Sequence, residues 1–109
     1  MKYYTYWKRN AKWFDGYSGQ SVIVMDDFGL SHKCLGDELK RWTDRYPVLG
    51  EIKGGTVALQ HKVFIISSNY HPNQIWGDDI SGMLAPIERR FKIILVNEGT
   101  DISEKLSNM

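Results

Sequence analysis

Cys34 is the only cysteine in the chain, so no intrachain disulfide can form and a cysteine-built zinc site is excluded. The three histidines, His32, His61 and His71, show no metal-ligand spacing. No apolar run approaches the roughly 20 residues that a membrane span needs, and the opening stretch MKYYTYWKRN lacks the apolar centre of a signal peptide. An excess of one charge is missing too. Fourteen basic residues face thirteen acidic ones, for a net charge of +1, so any basic site for a nucleic acid has to be local. Repeats, low-complexity tracts and an internal linker are absent. These absences lead us to expect an intracellular, soluble chain with no membrane partner.

What is present suffices for a core. Hydrophobic residues make up 42% and charged residues 25% of 109 residues, which fits one small domain or a piece of one. The aromatic-rich KYYTYWK (2–8) reads as a strand. The turn-rich RNAKWFDGYSGQ follows, with Asp15-Gly16 and Ser18-Gly19 as breakers. VIVM (22–25) reads as a strand buried on both faces. Ser31 is a candidate helix N-cap, and Leu35, Leu39, Trp42 and Tyr46 recur along one helical face before Pro47. Gly54-Gly55 lies between two short extended runs, a hairpin pattern.

KVFIISSN reads as a second buried strand. DDISGMLAPIERRF holds a helical turn with Pro86 at its first position, and FKIILV (91–96) is a third apolar strand. NEGTDISEKLSNM (97–109) is a polar tail. Apolar strands separated by crossovers predict an α/β fold with a parallel sheet. Ligands of such sheets sit beyond the C-terminal strand ends. That rule gathers Asp26, Asp27, Ser67, Ser68 and Asn69 along one edge.

Two adjacent carboxylates repel, and an uncompensated pair is costly to bury. VIVMDD fits a strand of four apolar residues followed by two acids, the Walker B pattern, in which one carboxylate orders Mg²⁺ and its neighbour orients the attacking water. Acids after a buried strand also serve simply as a turn. Asn69 could hydrogen-bond a phosphate, or start a turn before His71-Pro72. Arg89 and Arg90 could stabilise phosphoryl charge, or answer the dipole at a helix end. Lys53 at a hairpin tip could touch a nucleic-acid phosphate, or be an ordinary surface charge. Tyr3, Tyr4, Tyr6, Trp7, Trp13, Phe14 and Tyr17 could stack on bases, but packing is the better reading of most of them.

Taken together and in this order, YWK…KWFDGYSGQ, VIVMDDF, DRYP…EIKGGTV, VFIISSN and IERRF resemble the superfamily 3 helicase domain of replication-initiator (Rep) proteins of circular single-stranded DNA viruses, circoviruses above all. The resemblance spans roughly residues 3 to 95. It implies a P-loop NTPase core of the AAA+ type, with residues 1–96 running from Walker B to an arginine finger and 97–109 as the tail. Asp26 and Asp27 become the Walker B acids, Asp26 the one that orders the metal, and Asn69 the polar sensor. Arg89 or Arg90 becomes a finger offered to a neighbouring subunit. Lys53, Gly54 and Gly55 become the DNA-facing loop, with His61 and Lys62 near its base.

The cofactors implied are ATP and Mg²⁺. The partners implied are single-stranded DNA and further subunits in a ring, a hexamer. The activity implied is ATP-dependent DNA unwinding in rolling-circle replication, in the host nucleus. The family also carries Gly-x-x-x-x-Gly-Lys-Ser/Thr upstream of Walker B, and this sequence has no such motif. The core is therefore expected to lack its P-loop strand. That strand would sit between VFII and FKIILV, and 91–95 should be the least well placed strand. The chain alone is expected to be inactive. A truncated or relic module that binds single-stranded nucleic acid or Rep subunits is the alternative, as is a fragment of the related RNA-virus helicases.

Overall fold

In the computed structural model the described residues are 5–44, 46–77 and 82–96. The expectations for Tyr3, Tyr4, residues 78–81 and the tail 97–109 lie outside them. Strands β1 (Thr5–Lys8), β2 (Val22–Met25) and β5 (Val63–Ile66) form a parallel sheet in the order β1-β2-β5. VIVM and VFII pair in parallel, in register from Val22↔Val63 to Met25↔Ile66, as a parallel sheet requires. On the other side of β2, Thr5↔Val22 through Lys8↔Met25 align. The aromatic and β-branched content of TYWK and VIVM suits this pleated, part-buried surface.

Ile23 and Met25 are fully buried, whereas Val22 and Val24 are only half-buried. The reading of β2 as buried on both faces is corrected accordingly. The two connections, β1 to β2 and β2 to β5, step the same way across the sheet. Right-handed crossovers that step the same way land on the same face. The core gathers on that face: Phe14 and Tyr17 from the first connection, Leu39 and Trp42 from the second. Phe14 meets Trp42 edge-on at 4.9 Å, and Trp42 stacks on Phe64 at 6.2 Å. Such aromatic pairs add about 0.5–1.5 kcal/mol each beyond their buried area.

A 3-10 turn (Leu30–Leu35) leads into helix α1 (Gly36–Trp42). The turn is capped at Gly29 rather than at Ser31, and α1 ends at Trp42, so Tyr46 lies beyond it and is exposed. Thr43 closes the helix: its backbone N–H and its hydroxyl both donate to the Leu39 carbonyl.

Strands β3 (Leu49–Ile52) and β4 (Gly55–Ala58) form the hairpin read from the diglycine. The turn itself is Lys53-Gly54, and Gly55 already belongs to β4. Gly54 has φ 93°, a backbone that a side chain would resist. Gly50 lets Phe14 in, since a Cβ there would lie 2.6 Å from the ring.

Helix α2 (Pro72–Trp76) and helix α3 (Leu84–Arg90) pack together, and α3 also packs on α1. Pro86 stands at the third position of α3, not the first. FKIILV does not form the expected third apolar strand: the segment 91–96 carries no strand pairing, and Ile93, Leu95 and Val96 are exposed. Phe91 packs on the core, edge-on to Phe64 at 6.4 Å. Apolar composition does not make a strand without a ladder to join. Among the described residues the outer edge of β5 offers 91–96 no intervening strand.

Candidate functional site

Asp26 and Asp27 follow β2 immediately, at the C-terminal edge of the sheet, and both are exposed. The chain turns sharply there. Asp27 takes φ 57°, the left-handed region that only a few side chains, Asp among them, tolerate. The neighbouring strand holds the corner from one side. The Ser67 hydroxyl donates to Asp26 Oδ1 in a short contact and accepts from the Asp27 N–H at 3.1 Å. The Phe28 N–H donates to the Ser67 carbonyl at 2.9 Å, and the Ser67 N–H to the Met25 carbonyl at 3.0 Å. Ser68 closes the next step, its hydroxyl donating to the Phe28 carbonyl in a short contact. The sequence rule that put Asp26, Asp27, Ser67 and Ser68 on one edge is thus met by direct contacts.

The other side of the corner is held by a residue that sequence reasoning passed over. The Asn10 amide donates to the carbonyls of Asp26 at 2.8 Å and Asp27 at 3.3 Å. Lys8 was passed over as well. It is 4% exposed, with its ammonium 4.3 Å from the centre of the Phe14 ring and 4.5 Å from that of Trp42. It donates to the carbonyls of Arg9 at 3.4 Å, Trp13 at 2.9 Å and, in a short contact, Ala11. Burial lowers its pKa from 10.5 to about 8. One signal could have found it: period-two alternation puts Lys8 on the same sheet face as Tyr6, the core face.

The acid pair has no cationic partner among the described residues, where the ion pairs are Lys12–Glu51 at 3.4 Å and Lys40–Asp37 at 3.3 Å. Nor do the described residues hold three His, Cys, Asp or Glu groups placed to bind a metal by themselves. Two exposed carboxylates of this kind fit a hard cation that takes its remaining oxygens from water and phosphate. They do not make an all-protein cage.

The other candidates are more dispersed. Asn69 is exposed, three residues beyond the end of β5 on the same edge. Lys53 and Gly54 are exposed at the hairpin turn, with Gly55 beside them, and the Lys53 N–H is fixed by Asp15 Oδ1 at 3.0 Å. The Lys53 ammonium is left to solvent. Lys62 is exposed just before β5. His61 is half-buried, its Nε2 donating to the Trp42 carbonyl at 2.7 Å, and burial lowers its pKa. Arg89 and Arg90 are exposed in the last turn of α3, where Arg90 donates to the Pro86 carbonyl at 3.3 Å. Neither arginine bonds to the acid pair. No helix among the described residues is long and apolar enough to cross a membrane.

Comparison with known proteins bears on the family of the chain. A family model described as RNA helicase matches residues 1–70, which include Asp26, Asp27, Lys53 and Asn69 but not the arginines. The replication-associated protein of goose circovirus is 48% identical over 69 residues, covering 62% of this chain and 22% of that protein. That of porcine circovirus 1 is 42% identical over 88 residues, covering 79% and 27%. That of beak and feather disease virus is 39% identical over 87 residues, covering 79% and 28%. The chain spans about a quarter of the length of these curated relatives. It belongs to the RNA helicase family, as a superfamily 3 helicase segment similar to the replication-associated proteins of circoviruses.

Proposed function

We propose that this chain supplies the Walker B part of an ATP-driven DNA helicase acting in rolling-circle replication, within a Rep protein of the host nucleus. One observation carries the reading. Two exposed acids stand at the C-terminal edge of a parallel sheet, and the neighbouring strand aims one of them through the Ser67 hydroxyl. Asp26, so oriented, would order Mg²⁺ through water. Asp27, whose carboxylate meets no hydrogen-bond donor among the described residues, would orient the attacking water. Bound Mg²⁺ would supply charge neutralisation on the β- and γ-phosphates of ATP. Asn69, on the same edge, would sense the γ-phosphate. Arg89 or Arg90 would act across a subunit boundary in a ring, a hexamer. Lys53 would contact single-stranded DNA from the hairpin turn, and His61 and Lys62 lie where the hairpin leads into β5.

The sequence carries no Gly-x-x-x-x-Gly-Lys-Ser/Thr to grip the phosphates. The chain alone should therefore release no phosphate from ATP. Joined to the corresponding upstream part of the porcine circovirus 1 relative, it should hydrolyse ATP, and Asp26→Asn or Asp27→Asn should abolish that turnover. Strong ATP hydrolysis by the chain alone, or full turnover in either joined variant, overturns the proposal.

A further inference from the structure

The acid corner is gripped from both sides, and only one grip comes from the sheet. Ser67 belongs to β5's own exit and follows from strand pairing. Asn10 does not. It stands in the connection between β1 and β2, sixteen residues before Asp26, and its amide nitrogen bridges two successive carbonyls, those of Asp26 and Asp27. These carbonyls flank the one non-glycine residue of positive φ among the described residues.

The orientation of the Asn10 amide follows from chemistry, since the oxygen turned toward two carbonyls would be repelled by both. The same orientation leaves Asn10 Oδ1 buried without a hydrogen-bond partner. A buried, unsatisfied acceptor works against stability. What the amide has to set against that cost is the pair of bonds its N–H group makes to the Asp26 and Asp27 carbonyls.

The loop around Asn10 is itself fastened. The Lys8 ammonium donates to the carbonyls of Arg9, Ala11 and Trp13, which bracket Asn10 in the chain. It is pressed against the faces of Phe14 and Trp42. The Ala11 N–H adds a bond to the Arg9 carbonyl at 2.8 Å. Asn10 is therefore presented from a rigid loop rooted in the aromatic core.

We infer that Asn10 is a positioning residue for the acid pair. Its amide fixes the peptide planes of Asp26 and Asp27, so that the two carboxylates leave the sheet in the directions that metal ordering and water orientation require. Lys8 holds the loop that presents it. This rests on the reading of Asp26 and Asp27 given above, and two measurements separate its failure from the failure of that reading.

The first uses the full chain and needs no nucleotide. NMR amide exchange is followed in the wild type, in Asn10→Ala and in Asn10→Leu, which keeps the shape but loses the donor. Exchange at the Asp27 and Phe28 amides should rise about fivefold to tenfold in both variants, the loss expected for one hydrogen bond. The amides of β2 should keep their protection, which shows that the fold is intact.

The second uses the joined protein. Asn10→Ala should raise the Mg²⁺ concentration for half-maximal phosphate release about fivefold or more, with KM for ATP unchanged. Unchanged exchange at 27 and 28, or loss of protection in step with β2, overturns the inference and leaves the helicase reading standing. Altered exchange with an unaltered Mg²⁺ requirement makes Asn10 a residue of the fold only, and also overturns it. A wild-type joined protein without turnover sinks the helicase reading, and the exchange result then decides alone whether Asn10 holds the corner.

Discussion

The Ser67 hydroxyl donates to the Asp26 carboxylate across the β2–β5 pair, while accepting the N–H of Asp27. A strand end and its neighbour thus share one hydroxyl between the side chain of one acid and the backbone of the next. The arrangement depends on register: Met25↔Ile66 pairing brings position 67 level with position 26. Ser67→Ala should lower phosphate release by the joined protein about tenfold while costing roughly 1 kcal/mol of stability. Ser67→Thr keeps the hydroxyl and should retain most activity. Equal losses in the two variants would contradict an aiming role.

The left-handed backbone at Asp27 sets stability against function. Valine there should destabilise the chain by about 1–2 kcal/mol, because a β-branched side chain clashes in that region. Asp27→Gly should leave stability within about 1 kcal/mol of wild type, since glycine adopts positive φ freely. Both should abolish turnover in the joined protein. Urea unfolding beside phosphate release checks the pair, and a Val variant as stable as the Gly one would rule out the strained corner.

Lys8 makes stability depend on alkaline pH. Its pKa is about 8 in the fold against an ordinary 10.5. Between these values the unfolded chain binds a proton that the folded chain has released, so stability rises with pH across that window and is flat for this group below it. Three carbonyls and two ring faces favour the cation and limit the rise to less than about 3 kcal/mol. Subtracting the profile of Lys8→Met, which fits the same slot without a charge, isolates the effect from the tyrosines. A difference that stays flat from pH 8 to 10 would show that Lys8 is not desolvated.

Lys53 is held by its backbone, not by its side chain: Asp15 accepts its N–H and leaves the ammonium to solvent. Lys53→Ala should therefore leave the hairpin intact. In the joined protein it should weaken single-stranded DNA binding evenly across sequences and reduce the salt slope by about one. Fluorescence anisotropy at several salt concentrations measures this. An unchanged slope removes Lys53 from the interface.

Local chemistry determined much of this chain. The apolar run of β2 with its two acids, the hairpin around Gly54 and the packing role of Phe14 and Tyr17 follow from short-range pattern, because apolar runs and turn residues are written residue by residue. The order of motifs also carried the family. Tertiary structure decided the rest. The fate of 91–96 depended on a neighbouring ladder, which composition cannot report. That β2 is covered on only one face followed from the shared direction of its two crossovers. Asn10 looks like an ordinary loop residue in one dimension, and for Lys8 alternation tells the face but not the partners. Their roles arise because a connection folds back on the strand it precedes, and hydrogen bonds and desolvation act through space between residues the chain keeps apart.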